Sequence, residues 1–296
     1  MGAWTEFRCR VKSSQLPREE IDYIESGLLK LEQVVGQDWL NKHPSHPILK
    51  MVKAGLMYAW WFDIAELGHQ MDTVKSINHF SKLKKHILQE KEYLAARAKL
   101  WTAYKLKSVP ISFELYSSIG KEPDFKVSND SIIYGDAIAL GPSKGLKNVS
   151  AKAKQLIKME LPWVDYLSFE VNTVKRIARR VYEKMIRQLP KTNQCFIIIQ
   201  GQAGSLLASI LSSRVEDLVY DLVPILQEHP NLVLLVLSAS FLRDRSFYKT
   251  RYRVQSNYVL YKGISAMVFQ ELTLCITPNN LDSQLPIIKK LVEAFR

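Results

Sequence analysis

Apolar positions in residues 17–106 recur at the three- and four-residue spacing of amphipathic helices. The first such segment, PREEIDYIESGLLKLEQVV, opens with a proline and carries acidic residues in its first turns, where the helix dipole favours negative charge. Helical patterns continue through HPILKMVKAGLMYAWWFDIAELGHQM, INHFSKLKKHIL and EKEYLAARAKLWTAYKL. We therefore predict a helical N-terminal region over residues 1–85. The last predicted helix, EKEYLAARAKLWTAYKL, begins the second region.

The pattern changes to strand-like alternation near residue 109. VPISFELY, PDFKV and SIIYGDAIAL are short segments rich in aromatic and β-branched residues, and the turn-forming pair Asn129-Asp130 separates the last two. Three short strands joined by short connections predict an antiparallel meander.

A second alternation of helices and strands follows. SFEVNTVKRIARRVYEKMIRQLP has one apolar and one basic face, CFIIIQ and NLVLLVLSAS are short apolar strands, and LLASILSSRVEDLVYDLVPILQEHP between them is helical. RYRVQSNYVLYKG and ISAMVFQELTLCI suggest further edge strands, and LPIIKKLVEAFR a final helix. The sequence thus predicts an α/β fold with a mixed central sheet flanked by helices in residues 86–296, preceded by the helical region.

Composition indicates a globular protein with an uneven positive charge. The chain has 296 residues, 47% of them hydrophobic, and a net charge of +12. Residues 143–191 contain 12 basic and 4 acidic side chains, an excess of eight. Such a local field attracts polyanions, nucleic acid first. A solvated surface that only aids solubility is the alternative interpretation.

Two basic segments are candidate nucleic-acid-binding surfaces. Arginine binds phosphate through its planar guanidinium, and aromatic residues between cations suit stacking on unpaired bases. The candidates on the amphipathic helix are Lys175, Arg176, Arg179, Arg180 and Arg187, and those of RDRSFYKTRYR are Arg243, Arg245, Lys249, Arg251 and Arg253. The alternative is that the aromatic residues of the second segment form core contacts or cross-strand pairs in an edge strand, which is the more common role of such residues.

Several other chemistries are not supported. The three cysteines are far apart, which argues against a disulfide framework or a zinc site. There is no Walker motif, and GQAGS has Ala203 where a nucleophilic serine would stand. The charged N-terminus and the lack of a run of about 18 apolar residues predict a protein with no membrane association, located in the cytoplasm.

One group of carboxylates remains. Asp124 and Asp136 fall on neighbouring predicted strands, and Glu92 stands on the preceding helix. Converging carboxylates bind Mg²⁺ and support phosphodiester hydrolysis, with a nearby cation such as Lys126 stabilising the transition state. The alternatives are that Asp124 shapes a turn and that Glu92 belongs to solvated ion pairs. Asp136, inside an apolar strand, needs a partner in either case.

This order of elements resembles the core of the PD-(D/E)XK nuclease superfamily, the restriction-endonuclease-like fold. Pro123 and Asp124 match the "PD", Asp136 matches the "(D/E)", and Glu92 matches the helix acid. The resemblance covers roughly residues 86–240 and implies a Mg²⁺-dependent nuclease. The position of the catalytic lysine is occupied by Ile138, so the lysine has moved, to Lys126 or Lys144, or catalysis has been lost.

Three functions follow from these observations. The first is a divergent metal-dependent nuclease acting on DNA or RNA, with Asp124, Asp136 and Glu92 as metal ligands and Lys126 as the substitute lysine. The second is an inactive nuclease-fold protein that binds nucleic acid or a partner protein, or assembles with its own copies. In the third, a surface that includes Trp60, Trp61 and Phe62 docks a partner and the charge is incidental.

Overall fold

The computed structural model describes most of the chain, and its described residues form two compact units. One unit extends to Ser108 and the other begins at Val109. The described residues are 3–43, 45–49, 58–116, 122–141, 163–201, 207, 210–211, 215–239, 258–261, 264–269, 273–278 and 285–295.

The first unit is built from helices. They are α1 (Ala3–Lys12), α2 (Arg18–Val35), α3 (Trp39–Lys42), α4 (Tyr58–Val74), α5 (Phe80–Ile87) and α6 (Tyr93–Lys107). α2 and α4 approach each other closely at two glycines, because a Cβ atom on Gly68 would lie 1.9 Å from the Gly27 carbonyl oxygen. The predicted helical region is confirmed, and it includes α1, which precedes the segments whose periodicity predicts helices.

The boundary between the units lies later in the chain than residue 85. α6, which the sequence assigns to the second region, belongs with the helices of the first unit. The predicted partner-docking surface is also wrong in part, because Trp61 and Phe62 are buried and the Phe7 ring packs edge-on against Trp61 at 5.9 Å. Side chains in such positions stabilise the helical core and are not available to a partner.

The second unit contains a mixed sheet of eight strands in the part of the chain that the structure describes. Its order is β1-β2-β3-β4-β5-β8-β7-β6. β3, β4 and β5 are parallel, and the other pairs are antiparallel. The strands are β1 (Ser112–Leu115), β2 (Phe125–Ser128), β3 (Ile132–Leu140), β4 (Gln194–Gly201), β5 (Leu232–Ser238), β6 (Tyr258–Tyr261), β7 (Ile264–Phe269) and β8 (Thr273–Thr277).

Three helices of the described residues accompany the sheet. α7 (Trp163–Arg187) lies between β3 and β4 in the chain, α8 (Val215–Glu228) between β4 and β5, and α9 (Pro286–Phe295) follows β8. Parallel neighbours require such crossovers because a tight turn cannot join them. The predicted α/β class, a mixed sheet flanked by helices after a helical N-terminal region, is confirmed. No helix among the described residues combines the length and apolar character needed to cross a membrane.

The C-terminal strands differ from the prediction in one respect. ISAMVFQELTLCI forms two strands, β7 and β8, and β8 inserts between β5 and β7. β8 is therefore an interior strand whose residues are all buried, whereas β6 lies at the edge of the sheet. Apolar composition alone does not distinguish an edge strand from an interior one.

Candidate active site

Asp124 and Asp136 lie opposite each other on the antiparallel pair β2–β3. The register pairs Phe125 with Gly135, so Asp124, directly before Phe125, faces Asp136, directly after Gly135. Both side chains point to the same face of the sheet because paired residues share a face. The Ala137 backbone N–H donates to Asp124 Oδ2 at 3.1 Å, which ties the Asp124 carboxylate to the neighbouring strand.

Gly135 allows β3 to lie in this position. A Cβ atom on Gly135 would lie 1.9 Å from the ring of Phe196 on β4, so the Phe196 ring occupies the space that a side chain would need. The ring also contacts Phe125, with 6.4 Å between the centroids. Packing on one face of the sheet therefore holds the backbone next to Asp136, whose side chain points to the opposite face.

Both carboxylates are withdrawn from solvent. Asp136 is 1% exposed and Asp124 is 8% exposed. Burial raises the pKa of Asp136 well above its usual value, and the neighbouring Asp124 carboxylate raises it further. Two carboxylates this close share a proton or need a cation, and this requirement is the main electrostatic feature of the site.

Lys184 of α7 supplies that cation. Its Nζ lies 2.8 Å from Asp136 Oδ2, and it also donates a hydrogen bond to Gln188 Oε1 one turn further along the helix. The Lys184 charge opposes the rise in the pKa of Asp136. The site thus combines two acids from adjacent strands with one lysine from the helix that follows them.

Sequence reasoning missed Lys184, although the helix pattern contains a signal for it. Lys184 follows the buried Ile177 by seven residues and the buried Val181 by three, which is the spacing of one helix face. A lysine on the apolar face of a basic amphipathic helix is unusual, because that face packs inward. This interruption of the apolar face is the sequence signal for a lysine that contacts the sheet.

The lysines considered from the sequence occupy other positions. Lys126 shares the face of Asp124, as strand alternation predicts, but its Nζ lies 3.9 Å from Glu114 of the edge strand. Lys144 lies outside the described residues. Ile138, at the lysine position of the superfamily motif, is a buried part of the core.

Glu92 and the two aspartates belong to different units of the structure. Glu92 is the residue before α6 and belongs to the first unit. In the described parts of the chain, no group of three or more His, Cys, Asp or Glu side chains is arranged to hold a metal. A metal at this site would therefore be held by Asp124 and Asp136, with water completing its coordination.

The two aspartates fit Mg²⁺ in their chemistry. Mg²⁺ takes oxygen ligands and commonly binds through one or two carboxylates while it keeps several waters. Both Asp136 oxygens are buried and accept no hydrogen bond of good geometry from a described residue, so the carboxylate has capacity for a ligand. Oδ2 has the ion-pair contact with Lys184 at 2.8 Å.

The predicted basic surface lies on the same helix. Lys175, Arg179, Arg180 and Arg187 are exposed, and Arg179 and Arg180 contact Glu183 at 2.8 and 3.5 Å. Arg176 differs from them, because it is half-buried and donates to the Gly141 carbonyl oxygen. The second predicted surface lies outside the described residues: Arg243, Arg245, Lys249, Arg251 and Arg253.

Comparison with protein-family models, with characterised proteins and with solved structures finds no match to this chain. Functional inference therefore starts from the geometry of the site.

Proposed function

We propose that the protein is a metal-dependent nuclease that hydrolyses phosphodiester bonds in nucleic acid. The observation that carries this proposal is the contact of Lys184 with Asp136 beside Asp124, which brings two acids and a lysine together. The resemblance to the PD-(D/E)XK superfamily calls for these three groups, and the lysine missing at position 138 has a substitute on α7.

In this proposal Asp124 and Asp136 bind Mg²⁺. When bound, the ion would polarise the phosphoryl group and lower the pKa of a coordinated water. The cost of burying two carboxylates side by side is consistent with such a role, because functional sites concentrate groups with strongly shifted pKa values. Ala137, through its backbone N–H, keeps the Asp124 carboxylate in place.

Lys184 would stabilise the negative charge that develops on the phosphoryl oxygens. An ammonium group has three N–H donors. Among the described residues, Lys184 uses them for Asp136 and Gln188 only, so one donor remains for a phosphoryl oxygen or the attacking water. A fixed cation next to the reacting group is an efficient source of transition-state stabilisation.

The exposed cations of α7 would bind the backbone of the substrate. Lys175, Arg179, Arg180 and Arg187 occupy the helix that carries Lys184. Contacts of arginine with phosphates position nucleic acid without reading its sequence. Binding by these residues should therefore weaken steeply as salt increases.

The test is cleavage of labelled single- and double-stranded DNA and RNA with Mg²⁺, with Mn²⁺ and with EDTA. Wild type is compared with Asp124→Asn, Asp136→Asn and the exposed control Asp130→Asn. We expect metal-dependent cleavage that is lost in the first two variants and retained in the third. Cleavage that survives in Asp124→Asn and Asp136→Asn would show that another site, or a contaminant, is responsible.

An inactive nuclease-fold protein is the second candidate function. The aliphatic Ile138 at the lysine position and the 1% exposure of Asp136 favour it. It predicts binding of nucleic acid, or of a partner protein in a larger assembly, without cleavage under any metal condition. Salt-sensitive binding that is equal in wild type and Asp136→Asn would support this function over the first.

We also infer a cytoplasmic location. Cys9, Cys195 and Cys275 are free thiols, which suits a reducing compartment. Fractionation of cells that express the tagged full chain tests this location, and recovery in an exported fraction would contradict it.

A further inference from the structure

Arg176 is a half-buried cation of α7 that has no ion-pair partner among the described residues. Its Nη2 donates to the Gly141 carbonyl oxygen at 3.2 Å, whereas its Nη1 is buried and has no hydrogen-bond partner among the described residues. No described carboxylate forms an ion pair with it, and Arg180 lies one turn further along the helix. Burial and the Arg180 charge both lower the pKa of Arg176.

A half-buried guanidinium without an anion is unfavourable. Hydrogen bonds to a neutral carbonyl do not balance its charge, and removing a cation from water costs free energy unless a negative group accompanies it. Arg179 and Arg180, by comparison, both contact Glu183 and remain largely in solvent. Arg176 is therefore the position on α7 where a bound anion would relieve an existing cost.

The position of Arg176 also favours a ligand. Gly141 directly follows β3, and the carboxyl ends of parallel strands are where α/β folds bind ligands. A Cβ atom on Gly141 would meet no described atom within 4 Å, so the space beside the Arg176 contact is open in the described structure.

We propose that Arg176, assisted by Arg180, binds a phosphate group of the nucleic acid at a subsite separate from the carboxylate pair. The inference rests on the proposed function only in taking the ligand to be a nucleic acid. Five residues of extended strand separate Asp136 from Gly141, or roughly 16 Å. At about 3.4 Å per nucleotide along a duplex strand, the phosphate lies roughly four to five nucleotides from the reacting one.

The test is equilibrium binding of a fluorescent oligonucleotide to the full chain in EDTA, so that cleavage cannot occur. Arg176→Met and Arg176→Gln are compared with Arg18→Met, a control that removes an exposed arginine outside the proposed binding surface. We expect both Arg176 variants to bind about tenfold more weakly, as for the loss of one charge-assisted contact, and the control to change by less than about twofold. The slope of log affinity against log salt should fall by about one for each Arg176 variant.

Arg176→Gln removes the charge and keeps a polar side chain, and its free energy of unfolding, measured alongside its affinity, separates an effect on binding from an effect on folding. Equal losses in the Arg176 and Arg18 variants would overturn the subsite, as would wild-type affinity in Arg176→Gln. If wild type binds but never cleaves, the proposed nuclease activity fails while the subsite stands. If wild type cleaves and the Arg176 variants bind normally, the subsite alone fails.

The source of the phosphate is determined with modified oligonucleotides. If Arg176 holds a terminal phosphate, wild type prefers phosphorylated ends over hydroxyl ends and Arg176→Gln abolishes this preference. If it holds an internal phosphate, replacing one particular linkage by a neutral methylphosphonate weakens binding to wild type. The same replacement does not change the affinity of Arg176→Gln. A variant as sensitive as wild type to every modification would contradict both forms of the subsite.

Discussion

Lys184 on α7 and Asp136 on β3 form an ion pair that connects the basic helix to the sheet, with 2.8 Å between Nζ and Oδ2. The ion pair places Lys184 beside Asp136. Lys126 has no such position, although it lies on the same strand pair as the two aspartates. Lys126 contacts Glu114 at the sheet edge. The two lysines are therefore suitable for a matched comparison.

We expect Lys184→Met to lower the single-turnover rate of cleavage by about two to three orders of magnitude, as for the loss of a preorganised electrostatic group. Lys126→Met should remain within about threefold of wild type. Single-turnover assays with excess enzyme in Mg²⁺ measure the effect. The reverse result, loss in Lys126→Met and retention in Lys184→Met, would assign the catalytic lysine to β2.

Asp136→Asn should stabilise the metal-free protein, and more so at high pH. Because burial and Asp124 raise the pKa of Asp136, the folded state binds its proton more tightly than the unfolded state does. The contribution of Asp136 to stability therefore falls as pH rises from about 3.9, its unfolded value, through the folded pKa. Asparagine has no charge at any of these pH values, so the substitution removes this loss of stability.

We expect a gain in the free energy of unfolding of about 1 kcal/mol at pH 8 and a smaller gain at pH 5, in the range typical of functional-site replacements. Urea unfolding in EDTA at both pH values measures it, with the exposed Asp130→Asn as the control. A variant that is less stable than wild type at pH 8 would mean that the Lys184 ion pair outweighs the cost of burying the charge.

A second buried ion pair stabilises the helical unit. Arg97 Nη2 lies 2.8 Å from Asp63 Oδ1, with 3% and 5% of the two side chains exposed, and Arg97 Nη1 donates to Gln70 Oε1 at 3.0 Å. Burial raises the pKa of Asp63, while the Arg97 charge and hydrogen bond lower it. Removing one partner would leave the other charge buried.

Arg97→Met should therefore lower the free energy of unfolding by about 3–5 kcal/mol. Arg18→Met removes an exposed ion pair with Asp22 and should change the free energy of unfolding by less than about 0.5 kcal/mol. Urea unfolding of these variants, of Asp63→Asn and of the Arg97→Met, Asp63→Asn double variant measures the coupling. A double variant whose loss equals the sum of the single losses would show that the two residues do not interact.

Gly68→Ala should strongly destabilise the same unit. The added methyl group would lie 1.9 Å from the Gly27 carbonyl oxygen, and a backbone atom cannot move aside as a flexible side chain can. We expect a loss of about 3 kcal/mol, at the upper end of overpacking effects. Gly141→Ala, whose Cβ meets no described atom within 4 Å, is the control. Equal thermal stability of the two variants would contradict the close contact of α2 and α4.

Much of the fold can be predicted because it depends on local patterns. The apolar runs of β4 and β5, the helices between them and the alternation of β1 to β3 are properties of consecutive residues. The pairing of Asp124 with Asp136 was also within reach, since neighbouring strands joined by a short turn form a hairpin. The domain boundary was less accessible, because the helical pattern of α6 does not show which unit the helix packs with.

Contacts between distant segments required the tertiary structure. Lys184, like Arg176, is one of several cations on a helix, and helical spacing shows only which face each occupies. Whether a given lysine reaches Asp136 depends on how far α7 extends along β3 and on its rotation against the sheet, and both are set by the packing of many side chains. Periodicity along the chain therefore predicts the elements and their buried faces, whereas the register between a helix and a sheet decides which charges meet.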